Sequence, residues 1–304
     1  MKQYIIIVAG GSGSRMGSTI PKQFLDLNSK PILMHTIEKM HQSLEHSEII
    51  LVLPKCEFDT WKKLCQKHQF NVNHQVVEGG NTRFESVSNA LKKVNEQSVI
   101  AIHDGVRPLV KNSVLNECMQ TALEKGTAIP VIAIEESLRQ KTDSGSVVVN
   151  RDEYLIVQTP QCFSSEVLLK AYQQDYSPTF TDDASVVEAM GIEIQLIKGN
   201  KENIKITKKN DIDTLKKILN FNIKYGSGFD IHKLKSGNYL SLAGLKIRCN
   251  YQAIGYSDGD VVIHSIIDAL LGANNKGDIG TYFPPKKKYK NISSVVLLDE
   301  IKKI

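Results

Sequence analysis

Along the first 220 residues, short hydrophobic runs typical of strands alternate with longer stretches in which hydrophobic residues recur at helical spacing. Short apolar runs rich in β-branched residues predict buried strands, at residues 4–8, 49–53, 74–78, 99–103, 128–134 and 192–197. Between them, apolar residues three or four positions apart predict amphipathic helices, at residues 32–42, 59–68, 83–94, 113–124, 183–190 and 212–219. This alternation predicts an α/β domain with a doubly wound, mostly parallel sheet.

The pattern changes near residue 223, so we place a domain boundary at about residue 220. Residues 239–242 and 245–247 read as a hairpin, residues 261–273 as an apolar helix, and a further helix starts near Ser293. The sequence therefore predicts two domains, 1–220 and 221–304, the second of α+β type.

Composition and charge narrow the class of protein. The chain has 304 residues, 41% of them hydrophobic and 23% charged, as in ordinary globular proteins. Its five cysteines include no C-x-x-C pair, which predicts reduced thiols and a cytoplasmic location. The net charge of +5 falls entirely in residues 221–304, without a nucleic-acid-binding module. No apolar run is long enough for a membrane span, so we expect neither a nucleic-acid nor a membrane partner.

A glycine-rich loop directly after the first strand carries the first candidate chemistry. Gly11 and Gly13 allow backbone N–H groups to approach an oxyanion, and the cations Arg15 and Lys22 follow. The loop has no Gly-Lys-Ser/Thr ending, and Met16 stands where a dinucleotide fingerprint needs its third glycine, which argues against both common phosphate loops. Two cations beside such a loop favour nucleotidyl transfer, in which positioning and positive charge do most of the work.

Motifs along the first domain resemble the 2-C-methyl-D-erythritol 4-phosphate cytidylyltransferase family. They are residues 11–16, 21–24, 79–83, 103–108, 159–161, 181–185 and 203–207, together with Ser86 and Arg151. The resemblance implies a nucleotidyltransferase-type sheet and the transfer of a cytidylyl group from CTP, with Mg²⁺, to methylerythritol 4-phosphate, with release of pyrophosphate.

The same resemblance implies the roles of particular residues. Arg15 and Lys22 match the pair that stabilises the pentacoordinate phosphate, and Arg151 and Lys205 match the cations that hold the attacking sugar phosphate. The nucleotide- and substrate-binding segments of the family correspond to Gly11, Gly13, Gly80, Asn81, Ser86, Asp104 and Arg107. Position 81 is often aspartate in relatives, and Asn81 keeps the hydrogen-bonding capacity without the charge. Without the resemblance, Arg107 could equally be an ion-paired surface residue.

The second domain contains a candidate metal site. Asp230 and His232 are two positions apart on a predicted strand, so their side chains share one face, and His264 lies early in the predicted helix 261–273. A carboxylate and two imidazoles with one open position suit a catalytic zinc ion. On spacing alone, the same residues could instead satisfy backbone groups.

Motifs around these residues resemble the 2-C-methyl-D-erythritol 2,4-cyclodiphosphate synthase family. They are residues 228–232, 257–264, 268–272, 277–280 and 283–284. The resemblance implies that Asp230, His232 and His264 bind a divalent metal, Zn²⁺, and that CMP is released during cyclisation. It implies substrate contacts for Tyr256, Ser257, Asp278, Ile279 and Gly280. Relatives usually have histidine at position 256, and tyrosine adds no positive charge there.

The sequence does not decide whether the second domain is active. It also leaves other functions open for the chain. Residues 221–304 correspond to about half of a synthase domain, so we expect an incomplete domain whose activity is absent or impaired. A rival function is cytidylyl transfer to another sugar-alcohol phosphate such as ribitol 5-phosphate. A rival of another class is a non-catalytic nucleotide- or metal-binding subunit. Relatives of both domains are oligomers, which implies a homo-oligomer here.

Overall fold

The computed structural model describes residues 1–10, 20–95, 97–219 and 224–302 of the chain. The chain divides into two compact units, Met1–Leu219 and Asn220–Ile304. None of the helices in the described ranges is long and apolar enough to cross a membrane.

The first unit alternates strands and helices. Its strands are β1 (Lys2–Val8), β2 (Asp26–Leu27), β3 (Lys30–Pro31), β4 (Glu48–Leu53), β5 (Gln75–Glu78), β6 (Ser98–Asp104), β7 (Thr127–Ala133), β8 (Arg139–Thr142), β9 (Gly145–Val148), β10 (Leu155–Val157), β11 (Gln161–Ser164) and β12 (Leu196–Lys198). Its helices are α1 (Ile32–Ser43), α2 (Phe58–Lys67), α3 (Arg83–Leu91), α4 (Asn112–Lys125), α5 (Ser165–Ala171), α6 (Asp183–Glu188) and α7 (Lys209–Leu219), with short 3-10 turns at Lys22–Phe24, Lys55–Glu57 and Arg151–Glu153.

Eight strands form one mixed sheet in the order β10-β7-β11-β6-β1-β4-β5, with β12 beside β7. The pairs β1–β4, β1–β6, β4–β5 and β7–β12 are parallel, and β11 and β10 join antiparallel. The prediction of a doubly wound, mostly parallel sheet is confirmed. Because the chain adds β4 and β5 on one side of β1 and β6 on the other, strand order switches beside β1, where such sheets bind ligands.

Alternation along β1 builds a core on each face of the sheet. Ile5 and Ile7 pack with apolar residues of α1, α2 and α4, whereas Tyr4 and Ile6 pack with those of α3, α5 and α6. All four side chains are fully buried, as expected for a central parallel strand covered on both faces. The sheet is therefore the middle of three layers, and its carboxyl-end edge stays open for a site.

The predicted strand at residues 192–197 is largely wrong, because only Leu196–Lys198 pairs in the sheet as β12. The Thr127 hydroxyl donates to the carbonyl of Glu193 and accepts from the N–H of Gln195. These side-chain bonds replace the backbone ladder that a longer strand would make.

The second unit is small and of mixed type. Its strands are β13 (Leu234–Ser236), β14 (Tyr239–Leu242), β15 (Leu245–Arg248) and β16 (Tyr251–Ala253), its helices are α8 (Val261–Ala273), α9 (Ile279–Tyr282) and α10 (Ser294–Ile301), and Lys287–Tyr289 is a 3-10 turn. The predicted hairpin is confirmed as β14–β15, and β13 pairs with β16. Apolar residues of α8 and α10 form its core.

Asp230 and His232 do not lie on a strand, contrary to the prediction. Residues 224–233 belong to no strand of the described part of the unit, and two of their glycines lie against α8 instead. A Cβ at Gly228 would approach the carbonyl oxygen of Ser265 to 1.8 Å, and one at Gly226 would approach that of Ala269 to 2.0 Å. These glycines allow a close contact with the helix that carries His264.

Candidate functional site

A crevice of about 260 Å³ lies at the carboxyl ends of β1 and β6. It is lined by residues of five segments, among them Gly10, Lys22, Asn81, Asp104 and Lys205. Val8 and Asp104 are paired in register at the ends of their strands, so the end of the first strand and the His-Asp-Gly segment face one crevice, as the topology requires. The predicted residues Gly11, Gly13 and Arg15 lie outside the described residues.

Lys22 is brought to the crevice by the turn Lys22–Phe24. The amide of the next residue, Gln23, is 1% exposed and donates from Nε2 to the carbonyl of Ala9 at 2.8 Å. Pro21 fixes the backbone before this turn. The turn is thus fastened to the end of β1, which positions Lys22 beside the start of the glycine loop.

The segment from Gly80 to Ser86 forms a second wall of the crevice. The N–H of Gly80 donates to Oγ of Ser86 at 3.1 Å, and the N–H of Asn81 donates to the Glu85 carboxylate at 2.6 Å. A Cβ on Gly80 would lie 2.3 Å from that of Glu85. Thr82 caps α3 through its side chain, so the predicted nucleotide-binding residues sit on a tightly folded loop at a helix start.

Asp104 binds three cations, and we call Asp104, Arg83, Arg107 and Lys205 the Asp104 cluster. The carboxylate accepts from Nη1 of Arg83 at 2.9 Å and from Nε of Arg107 at 3.1 Å, and it lies 3.0 Å from Nζ of Lys205. Burial alone would raise the pKa of Asp104, but the attraction of Arg83, Lys205 and Arg107 outweighs it and holds that pKa well below its usual range. Even when Asp183, which also pairs with Arg83, is counted, three cations face two carboxylates and leave net positive charge beside the crevice.

His103 connects this cluster to its scaffold. Its Nε2 lies 2.9 Å from the carbonyl of Arg107, which can only accept, so Nε2 carries the proton. Thr159 Oγ1 accepts from the N–H of Asp104 and lies 3.1 Å from His103 Nδ1, to which it donates. Burial lowers the pKa of His103 to about 4 and outweighs the opposing effects of the Arg107 carbonyl and Asp104. The imidazole is therefore a neutral structural link at pH 7.

Arg83 extends the cluster in a way that the sequence did not predict. Its Nη2 lies 2.5 Å from Oδ2 of Asp183, whose side chain is fully buried and whose Oδ1 accepts from the Tyr172 hydroxyl at 2.7 Å. Burial would lower the pKa of Arg83, but Asp183 and then Asp104 raise it above its usual value. The motif at residues 79–83, which contains Arg83, was the one sequence signal for a role of this residue. Nothing in the sequence indicated that Arg83 pairs with Asp183, 100 positions away.

Arg151 does not line the crevice in the described chain. It is half-exposed, donates to the carbonyl of Glu135, and its Nε lies 3.9 Å from the Asp152 carboxylate. Its predicted role in holding the sugar phosphate therefore stays a prediction. Lys205, by contrast, is fixed beside the crevice because the N–H of Ile206 donates to the carbonyl of Val106 at 3.1 Å.

A larger cavity of about 600 Å³ lies at the amino ends of β1 and β6. Its charged lining residues, Glu166 and Lys170, offset each other. The smaller crevice is the better candidate, because Lys22, Arg83 and Lys205 line it and strand order switches beside it.

In the second unit, Asp230, His232 and His264 converge as the sequence predicted. Their ligand atoms all lie within 4.8 Å of one another. Nδ1 of each imidazole lies 2.9 Å from Oδ2 of Asp230, and the buried Nδ1 of His232 has no hydrogen-bond partner. Two imidazole nitrogens and a carboxylate oxygen this close together, one of them without a hydrogen-bond partner, fit a zinc ion with an open position.

The other predicted residues of this unit lie around helix starts. Ser257 Oγ is 3.1 Å from Nε2 of His264, while the side chain of Tyr256 is 41% exposed. Asp278 caps α9, which contains Ile279 and Gly280, and its Oδ1 accepts from the N–H and hydroxyl of Thr281. These bonds lower the pKa of Asp278, so its carboxylate serves the helix start.

The fold and crevice together define the first unit as an α/β nucleotidyltransferase. The family description "2-C-methyl-D-erythritol 4-phosphate cytidylyltransferase" matches residues 3–220, and the description "YgbB family" matches residues 223–304. The chain belongs to the 2-C-methyl-D-erythritol 4-phosphate cytidylyltransferase family, with a YgbB-family domain following it.

Individual relatives cover either the first unit or the whole chain. A 2-C-methyl-D-erythritol 4-phosphate cytidylyltransferase of Bacteroides thetaiotaomicron is 52% identical over 70% of this chain and 97% of that protein. The bifunctional enzyme IspD/IspF of Pelagibacter ubique is 38% identical over 99% of this chain and 79% of that protein. The solved structure of the bifunctional IspDF from Campylobacter jejuni is 27% identical, covers 99% of this chain and 78% of that one, and superposes with a TM-score of 0.60.

Proposed function

We propose that the first unit transfers a cytidylyl group from CTP to 2-C-methyl-D-erythritol 4-phosphate and releases pyrophosphate. The observation that carries the proposal is the Asp104 cluster, which gathers three cations opposite Lys22 at the carboxyl ends of β1 and β6. A crevice that carries net positive charge suits two phosphate-bearing substrates at once. CTP enters with Mg²⁺ as part of the substrate.

Each group of residues in the crevice has a separate role in the reaction. The sugar phosphate is ionised at neutral pH, so its oxygen attacks the α-phosphorus of CTP without a protein base, and pyrophosphate leaves in line. Lys22 and the predicted Arg15 stabilise the charge that develops on the pentacoordinate phosphate. Lys205, held by Asp104, binds the attacking phosphate, as does the predicted Arg151. Gly80, Asn81 and Ser86 surround the nucleotide.

Pyrophosphate release from CTP and methylerythritol phosphate tests this proposal. We expect Lys22→Ala and Arg15→Ala to reduce kcat by roughly 100-fold or more, since each removes a cation from the transition state. Lys205→Ala should act mainly on the KM for the sugar phosphate. Lys62→Ala, an exposed lysine on α2, is the matched control. Wild-type rates in both Lys22→Ala and Arg15→Ala would contradict the assignment.

Two further substrate arms separate the rival functions. Ribitol 5-phosphate offered beside methylerythritol phosphate distinguishes the two sugar-alcohol phosphates, since the nucleotide half of the crevice would serve both. Nucleotide binding without turnover of either acceptor would support a non-catalytic subunit.

For the second unit, we propose a zinc centre on Asp230, His232 and His264 that serves cyclodiphosphate synthase chemistry. When bound, a zinc ion would polarise the β-phosphate of a diphosphocytidyl substrate while its 2-phosphate attacks and CMP leaves. The three side chains would hold the metal, with Ser257 Oγ beside Nε2 of His264. Binding of one equivalent of Zn²⁺ that is lost in His232→Ala tests the centre, and CMP release measures turnover.

We propose in addition a homo-oligomer, and a cytoplasmic location with small-molecule partners only. Strand β10 exposes Leu155, Ile156 and Val157 by 40–46%, an apolar edge that association would cover. The cysteines of the described residues are all free, in keeping with a reducing compartment. Light scattering behind size exclusion would reveal a monomer if the proposed association were wrong.

A further inference from the structure

A chain of hydrogen bonds connects the half-buried carboxylate of Asp258 to the side of the His264 ring that faces away from Asp230. Oδ1 of Asp258 lies 2.5 Å from Oγ of Ser294, and the same Oγ lies 2.9 Å from Nε2 of His264. Across the ring, Nδ1 of His264 lies 2.9 Å from Oδ2 of Asp230. Ser294 is fully buried and His264 is 7% exposed, so water does not compete for the bond between these two side chains.

The donors and acceptors along this chain can be assigned from their chemistry. A carboxylate only accepts, so the single hydroxyl proton of Ser294 points at Asp258. The lone pairs of Ser294 Oγ then face Nε2 of His264, which must donate. As a metal ligand the imidazole carries a single proton, which on this assignment sits on Nε2, so that Nδ1 presents a lone pair towards Asp230.

This assignment leaves two lone pairs facing each other across 2.9 Å, one on Nδ1 of His264 and one on Oδ2 of Asp230. Nδ1 of His232 lies equally close to the same oxygen. A cation among these three atoms turns the repulsion into coordination, and each atom is then a ligand.

We infer that Asp258 and Ser294 are positioning residues that orient His264 as a metal ligand, with its proton on Nε2 and Nδ1 free to coordinate. The inference rests on the zinc centre proposed above and extends it to two residues that the sequence motifs did not assign to it. Outer-shell partners of this kind change metal affinity by about 10- to 100-fold.

A purely structural role accounts for only part of the arrangement. Asp258 also accepts from the N–H of Ser294 through Oδ2 at 3.0 Å, and thereby caps the start of α10. The residue in the capping position, Ser293, makes no side-chain cap bond. Capping explains the carboxylate of Asp258, but it does not require the hydroxyl of Ser294 to contact His264.

The test is the Zn²⁺ affinity of the full chain, measured by competition with a chromophoric chelator after metal removal. We expect Ser294→Ala to weaken Zn²⁺ binding about 10-fold, at the low end of the effects of outer-shell partners. The effect is small because Ser257 Oγ, at 3.1 Å, offers Nε2 of His264 a second acceptor. Asp258→Asn should weaken it by a similar factor, since an amide can donate to Ser294 and reverse the direction of the chain. Ser293→Ala, the same substitution one position earlier on an exposed side chain, should leave the affinity unchanged.

The double variant separates positioning from general destabilisation. Because Asp258 acts on His264 through Ser294, Asp258→Asn combined with Ser294→Ala should bind Zn²⁺ no more weakly than Ser294→Ala alone, whereas independent structural effects would add. The visible spectrum of bound Co²⁺ should shift in both single variants and stay unchanged in Ser293→Ala. Thermal unfolding of the metal-free variants checks that each is folded.

The outcomes distinguish this inference from the proposal beneath it. A wild-type chain that binds no Zn²⁺ would refute the metal centre, and the inference with it. A wild-type chain that binds Zn²⁺, together with folded Ser294→Ala and Asp258→Asn variants of equal affinity and unchanged Co²⁺ spectra, would overturn the inference alone.

Discussion

Replacing Arg83 should destabilise the first unit more than any exposed substitution, because one guanidinium bridges two carboxylates. Its Nη1 and Nη2 reach Asp104 at 2.9 Å and Asp183 at 2.5 Å, and its own side chain is only 23% exposed. The side chains of Asp104 and Asp183 are 7% and 0% exposed. Arg83→Ala therefore leaves the buried carboxylate of Asp183 without its cation, in a site that water does not reach.

The expected cost follows from what remains around each carboxylate. Asp104 keeps Arg107 and Lys205, but Asp183 keeps only neutral partners, of which Tyr172 is the closest side chain at 2.7 Å. Removing one partner of a buried ion pair costs about 3–5 kcal/mol, and the surviving bonds place Arg83→Ala near the lower end, at about 3 kcal/mol. Arg83→Lys keeps the charge but cannot span both carboxylates, so a loss of roughly 1–2 kcal/mol is expected.

Urea unfolding, monitored by tryptophan fluorescence, measures this loss of stability in the first unit. The chain has a single tryptophan, Trp61, which is 3% exposed and stacked on Phe24 in the core of the first unit. With a urea dependence of about 3 kcal/mol per molar, the midpoint of Arg83→Ala should fall by roughly 1 M. Arg139→Ala, an arginine on the exposed strand β8, is the matched control and should shift it by less than about 0.2 M. If Arg83→Ala and Arg139→Ala unfolded at the same urea midpoint, the bridge between Asp104 and Asp183 would not stabilise the first unit, contrary to this prediction.

Three other predictions follow from buried or crowded positions. His103 has a pKa of about 4 against an ordinary 6.5, so the unfolded state takes up its proton first as pH falls. Its contribution of about 3 kcal/mol is complete above pH 6.5 and disappears towards pH 4, and urea midpoints of His103→Gln should show a flatter pH dependence than wild type in that window. Gly228→Ala should push its segment off α8 and weaken Zn²⁺ binding in the chelator competition, whereas Gly272→Ala, whose Cβ would meet nothing closer than 4.0 Å, should not. Chelation of bound metal should lower the unfolding temperature of the second unit by circular dichroism, and an unchanged temperature would contradict metal linkage.

The layers of the first unit could be predicted from the sequence because each residue of β1 is specified by its immediate neighbours. Ile5 and Ile7 alternate with Tyr4 and Ile6, and a run buried on both faces has few alternatives to a central strand. The segment at 192–197 failed for the opposite reason. Its apolar pattern was correct, but the hydroxyl of Thr127, 66 positions away from Glu193, took the backbone groups that a strand would have used.

The candidate metal site shows a different limit of sequence reasoning, because its three residues converge as predicted but for another local reason. Asp230 and His232 were expected to share a face because they alternate on a strand, yet their segment is not in a strand. They converge because glycines allow the segment to lie on α8, which also carries His264. Sequence spacing could not distinguish these two geometries, since both place side chains two residues apart on one side.

The electrostatic roles of Arg83 and Arg107 were beyond sequence reasoning, because charge state and partner depend on tertiary distance. Sequence alone left Arg107 equally suited to a surface ion pair and to the crevice. In the fold it is both paired and 11% exposed, since Asp104 is the last residue of the buried strand β6, which brings its carboxylate between α3 and the 203–207 segment. The cations are therefore held in place by a carboxylate that would otherwise oppose phosphate binding. Because Asp104 offsets one of three charges while fixing all three, Asp104→Asn should raise the net positive charge yet lower turnover. A variant with faster pyrophosphate release would show that charge rather than position limits the reaction.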